Sequence, residues 1–145
     1  MKRNTKLILL VIFILIAAAA FSGYYYYNKG PVSVEGRTGQ KVKAENLYQE
    51  YLGNKETAQA KFSGQVVSVT GRVASLDKNQ NNETIILLDA GHKNARINCT
   101  MEQENITAMP GSTITIKGLC SGMGEGDADM GLVPDVYLTK AFIEL

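Results

Sequence analysis

Few side chains in this 145-residue chain have the type and spacing that chemistry needs. Glu125, Asp127 and Asp129 alternate within a glycine-rich stretch, GMGEGDADMG, at residues 122–131. Carboxylates clustered on such a backbone could hold a hard cation through oxygen ligands. A calcium loop also needs a third Asp or Asn and a closing Glu, and Met130-Gly131-Leu132 stands there instead. The expectation is a solvated loop without a metal. His92 is the one histidine, too few for an imidazole metal centre. Cys99 and Cys120 lack the neighbouring cation that would turn a thiol into a nucleophile. No phosphate-cradling loop, nucleophile elbow or catalytic carboxylate pair is present. These residues predict no catalytic group and no cofactor, hence a protein that binds and is not an enzyme.

The elements that must position these groups begin with a membrane signal. Lys2, Arg3 and Lys6 precede residues 7–27, an uncharged run that ends in four tyrosines, Tyr24 to Tyr27. About 20 apolar residues in a helix span a bilayer, and tyrosine suits the headgroup zone. A basic flank ahead of the span puts the N-terminus in the cytoplasm and the rest of the chain outside. The competing reading is a signal peptide cleaved after Ala20-Phe21-Ser22. Because the tyrosines carry the segment to spanning length, the expectation is a retained single-pass anchor, residues 1–27, in the cell membrane. Beyond it stand 12 basic and 14 acidic residues, so the exported part is net negative although the whole chain is +1. Domains that grip nucleic-acid phosphates are ordinarily basic, which disfavours that partner.

Residues 28–43 are mixed and glycine-bearing, and read as a spacer. From Ala44 the pattern is helical, with Leu47, Tyr48, Tyr51 and Leu52 as a stripe that Gly53 stops. Asn54 can cap a second short helix, residues 55–62, closed by Ser63-Gly64. The period then drops to two. Strands are predicted over 67–76, 83–89 and 95–101, with a short polar helix or turn over 102–109. Two more follow, around Ile114 to Cys120 and over 135–144. That order predicts a mainly β fold: a five-stranded OB-fold barrel over residues 44–145, with an N-terminal helical extension and a transmembrane helix. Gly71, inside the first strand, suits tight curvature. Cys99 and Cys120 both fall in the apolar phase of their strands. Export favours a disulfide between them, worth about 3 kcal/mol for a loop of about 20 residues. The alternative is two buried thiols, and a Cα separation above or below about 7 Å decides.

Asn54, Ala58, KFSGQVVSVTGRV at residues 61–73, Cys99 with its strand, GLCSG at 118–122 and DVYL at 135–138 together resemble the tRNA-anticodon-domain-like OB-fold family. The likeness covers residues 44–145. It implies a five-stranded barrel in secreted or envelope-associated bacterial proteins, with no assigned activity and no tRNA binding carried by the name. Ala141 stands near the place where other members carry a further cysteine.

In OB barrels the second and third strands, flanked by the first and last hairpin loops, form the binding face. By that analogy the candidate ligand-binding residues are Arg96, Asn98, Lys78, Asp127 and Asp129. Tyr48, Tyr51, Phe62, Tyr137 and Phe142 read as core, leaving the face without the stacking aromatics that single-stranded nucleic acid needs. The functional expectation is a tethered extracytoplasmic binding module for an envelope protein or a small polar ligand. The alternative is a single-strand-binding OB protein.

Overall fold

The computed structural model of the chain describes residues 2–27, 33–127 and 129–145. It divides into two units, Met1–Ser33 and Val34–Leu145. In the first, helix α1 (Lys2–Tyr27) contains a 21-residue stretch, Leu7–Tyr27, long and apolar enough to cross a membrane. The side chains of Leu7–Tyr27 are exposed on every side, as suits a helix solvated by hydrocarbon and not one packed in a core.

The second unit runs β1 (Gln40–Lys43), α2 (Ala44–Gly53), α3 (Lys55–Phe62), β2 (Val66–Lys78), β3 (Thr84–Asp89), β4 (Arg96–Met101), β5 (Thr113–Met123) and β6 (Val136–Glu144). Strands β2–β3–β4–β6–β5 close back onto β2 as a five-stranded mixed barrel. Within the ring every pairing is antiparallel except β4–β6. Within the ring β2 serves two strands in turn: Val66 to Arg72 pair with β5, and Val73 to Lys78 with β3. The register shifts between Val73 and Ser75, a bulge of the kind that bends a strand round a corner.

β1 pairs in parallel with Val67 to Thr70 on the edge of β2 that β5 leaves open. Closure of the ring puts β3 on that same edge, so β1 fills the length β3 does not reach. Where β1 ends, the chain leaves the edge at Gly71. A Cβ there would lie 2.8 Å from the Cβ of Ala44 and 3.3 Å from that of Leu88, a space only glycine leaves. The supposed spacer therefore contributes a strand, and Val34 is fully buried in the domain. A four-residue strand with no local partner leaves no periodicity to read.

α2 and α3 close one end of the barrel. Leu47, Tyr48, Tyr51 and Phe62 are fully or almost fully buried there, each worth roughly 1.5–3 kcal/mol of burial. Leu52, expected in the same stripe, is exposed. Asn54 caps α3, its Oδ1 accepting from the Thr57 N–H at 3.0 Å. Residues 102–112 form a loop with no helix. EQENITAM has no apolar stripe at helical spacing, and the helical layer comes from α2 and α3, ahead of the first barrel strand.

Candidate binding face

Ile97, Cys99 and Met101 of β4 point into the barrel, which turns Arg96, Asn98 and Thr100 outward. The register sets Leu87 of β3 and Tyr137 of β6 on either side of Asn98, and Ile85 beside Thr100. One end of this face is bordered by the loop of residues 124–135, whose Asp135 Oδ1 accepts from the Arg96 N–H at 2.9 Å. The other end meets the hairpin of residues 79–83.

Tyr137 is 41% exposed. A Cβ on Gly124 would come within 2.9 Å of its ring, so the aromatic edge rests on glycine backbone. The loop is pinned by Asp127 and Leu132, which exchange backbone hydrogen bonds of 3.0 and 2.7 Å. It presents Met130 at 71% and Leu132 at 57% exposure. Below it lies a depression of about 490 Å³ lined by His92, Lys93, Leu132, Val133 and Pro134, with Gly126 and Gly131. One wall is fixed: the buried Tyr48 stacks on His92 at 5.8 Å between ring centroids and donates to the Pro134 carbonyl at 2.9 Å.

The charges here are largely committed. The Arg96 guanidinium donates to the Ala95 carbonyl at 2.9 Å and lies 3.6 Å from Asp89. Burial raises the Asp135 carboxyl above its ordinary range, against the opposing pull of the Arg96 N–H and charge. Burial, then the Asp135 charge, raises the Tyr48 phenol. Asp127 accepts from the N–H groups of Asp129 and Met130 at 3.0 and 3.1 Å, which commits that oxygen to its own turn. No cluster of three or more His, Cys, Asp or Glu that could hold a metal occurs among the described residues.

The five residues picked from the sequence fall into two groups. Arg96, Asn98 and the loop carrying Asp127 and Asp129 share one end of the face. Lys78, whose Nζ donates to Asn82 at 3.2 Å, pairs with Thr84 at the other. Five residue steps along β3, from Thr84 to Asp89 beside Arg96, separate the two ends by about 17 Å at strand spacing. Tyr137 is the residue that sequence reasoning missed, having assigned it to the core. Val136 and Leu138 are fully buried, so simple alternation puts Tyr137 outside. Phe142 is likewise only half-buried, whereas Tyr48, Tyr51 and Phe62 are core as expected.

The cysteines form no disulfide. Cys99 and Cys120 both pair with Leu138, from opposite sides, because β6 lies between β4 and β5. Two strand spacings put their Cα atoms roughly 9–10 Å apart, beyond bonding reach. Cys120 Sγ instead meets the Tyr51 hydroxyl at 3.6 Å, and Cys99 Sγ donates to the Ile97 carbonyl at 3.7 Å. Burial drives the Cys99 thiol far up, with the Cys120 charge adding to it; burial and Cys120 do the same to the Tyr51 phenol. Neither group is poised to ionise.

The tRNA_anti-like family model matches residues 1–134, all of the chain up to the last strand. No curated protein matches the sequence. Nine solved chains match it. One is a candidate nucleic acid-binding lipoprotein from Klebsiella pneumoniae subsp. pneumoniae MGH 78578, at TM-score 0.54 and 15% identity, covering 74% of this chain and 92% of that one. At that identity the likeness is one of fold.

Proposed function

The chain belongs to the tRNA_anti-like family, and from that premise we propose that it is a membrane-tethered binding module whose barrel faces outward from the cell. Residues 1–27 hold it in the membrane with the N-terminus in the cytoplasm, as the flanking Lys2, Arg3 and Lys6 favour. The occupant of its face is a protein partner, with Arg96, Asn98, Asp127 and Asp129 at the contact and Lys78 at its far end. The observation that carries this reading is the surface of the β5–β6 loop. Met130, Leu132 and Tyr137 are exposed on a stretch, residues 121–139, that holds four carboxylates and no Lys or Arg. Exposed apolar groups among acids suit a protein surface and repel a phosphate backbone.

A photo-crosslinking residue in place of Met130, in the full chain in its native membrane, tests this. A discrete protein adduct, lost on Leu132→Ser with Tyr137→Ala, is the expected result. An adduct indifferent to both changes refutes the face. N-terminal sequencing tests the tether, and a mature chain starting near Gly23 removes it.

A second reading, single-stranded nucleic acid, is favoured by Tyr137 exposed beside Asn98, since one aromatic can stack one base. Salt-dependent binding of a dT oligonucleotide, abolished by Tyr137→Ala, would replace the first reading with this one.

A further inference from the structure

The wall of the barrel across from β4 is built from different residues. In ring order β4 stands opposite the seam where β2 meets β5. There the register sets Lys41, Ser68 and Lys117 side by side, then Lys43, Thr70 and Thr115, then Arg72 and Thr113. Val67 and Val69, which alternate with them, are fully buried, so this set turns away from the core; Ser68 is nonetheless buried, because Gly39 packs over it between Lys41 and Lys117. The Thr70 and Thr115 hydroxyls, 2.8 Å apart, lie on the same side. Four cations on three adjacent strands thus share one face, where Glu35 and Glu144 line the depression beside Lys117. Glu45 and Asp89 line the same depression as Lys43 and Arg72, and Glu144 stands opposite Thr115 on β6. None of the four is in an ion pair among the described residues, where the pairs are Lys61–Glu50 and Arg96–Asp89. Lys117 donates to the Glu35 carbonyl at 2.9 Å.

We propose that this cationic seam docks on the anionic headgroups of the membrane that holds the chain. The proposal rests on the reading of α1 as a retained anchor. Lys41 and Lys43 follow Tyr27 by 14 and 16 residues, so chain connectivity keeps β1 within reach of the bilayer surface. There an anionic leaflet acts over a Debye length of about 8 Å. Ammonium, guanidinium and threonine hydroxyl groups are donors suited to phosphate oxygens. Nucleic acid would need a stacking surface as well, and Phe142, opposite Lys117 on β6, is half-buried. With the basic seam on the lipid, the acidic β5–β6 loop is left free for the partner.

The test uses the full chain in vesicles of phosphatidylcholine alone and of phosphatidylcholine mixed with phosphatidylglycerol, with lysine acylation read by mass spectrometry. Lys41, Lys43 and Lys117 should label more slowly on the mixed vesicles, and high salt should restore their rates. Lys55, Lys78 and Lys93 should label equally on both. Each cation near an anionic surface is worth about fivefold, so Lys41→Gln with Lys43→Gln should cut the protection of Lys117 by about 25-fold. A chain that floats with both vesicles but labels identically on them overturns the docking and leaves the tether standing. A chain that fails to float with phosphatidylcholine vesicles overturns the tether and this proposal together. Protection of the same lysines by a dT oligonucleotide, without protection by phosphatidylglycerol, gives the seam to nucleic acid and refutes the lipid.

Discussion

Gly71→Ala should destabilise the domain through one contact that can be relieved from the other side. The new methyl would lie 2.8 Å from the Cβ of Ala44 and within 3.4 Å of Leu88, on two elements already packed against β2. Overpacking of this kind costs about 1–3 kcal/mol, while alanine in a strand interior recovers about 0.5–1 kcal/mol of the entropy glycine loses. The net loss is about 1–2 kcal/mol, which lowers the melting temperature of a domain this size by about 5–10 °C. Ala44→Gly alone should cost up to about 1 kcal/mol in helix propensity. Combined, the two changes remove the clash, so the double variant should lose less than the sum of the single losses by about 1 kcal/mol. Urea unfolding of all four proteins in detergent, followed by tyrosine circular dichroism, measures the cycle. Additive losses, or a neutral Gly71→Ala, would show that this crossing is not where the barrel edge is fixed.

Other outcomes follow from the same packing. Unfolded, unreduced chains should take two thiol labels each, and reductant should leave the melting temperature unchanged. Cys120→Ala should cost about 1–3 kcal/mol by stranding the Tyr51 hydroxyl, and Tyr51→Phe should recover part of that loss. Asp135 has a raised carboxyl, so its contribution is present below the ordinary carboxylate range and is lost as pH rises through its folded value. Asp135→Asn should therefore gain stability relative to the parent between acid and neutral pH in a denaturation series, and a widening deficit instead would refute this. Lys140, at a bulge of β6 with φ 50°, should tolerate glycine with a gain of about 0.5–1 kcal/mol in thermal melts.

Local pattern carried much of this structure into view. Alternation located β2, β4 and β5, an apolar run located β3, and β6 was placed by the glycine-rich loop before it; the cap on α3 was legible in Asn54 and the residues after it. What was hidden depends on pairing between distant segments. The disulfide seemed open because the strands of Cys99 and Cys120 follow one another in sequence, and only the insertion of β6 between them separates the thiols. The same insertion brings Tyr137 beside Asn98, a neighbour no local period reveals. Gln40 to Lys43 becomes a strand because β3 stops short on β2, which is a property of the ring. The cationic seam stayed unseen for a related reason: Lys41, Arg72 and Lys117 are far apart in the chain, and only the register aligns them.

The position of β6 also sets the order in which the domain can be made. A ribosome delivers the cap first, so Leu47, Tyr48, Tyr51 and Phe62 wait for a barrel not yet synthesised. β5 can pair with β2 as soon as it emerges, but β4 and β5 are joined only through the final strand. Until it arrives the sheet has two open edges, at β4 and β5, with Cys99 and Cys120 in the strands that line the gap. Closure is thus a late, long-range event, and the domain should fold slowly for its size. An arrested chain ending before Val136 should expose both thiols and offer two strand edges to any neighbour, which makes the nascent form the one most prone to aggregate.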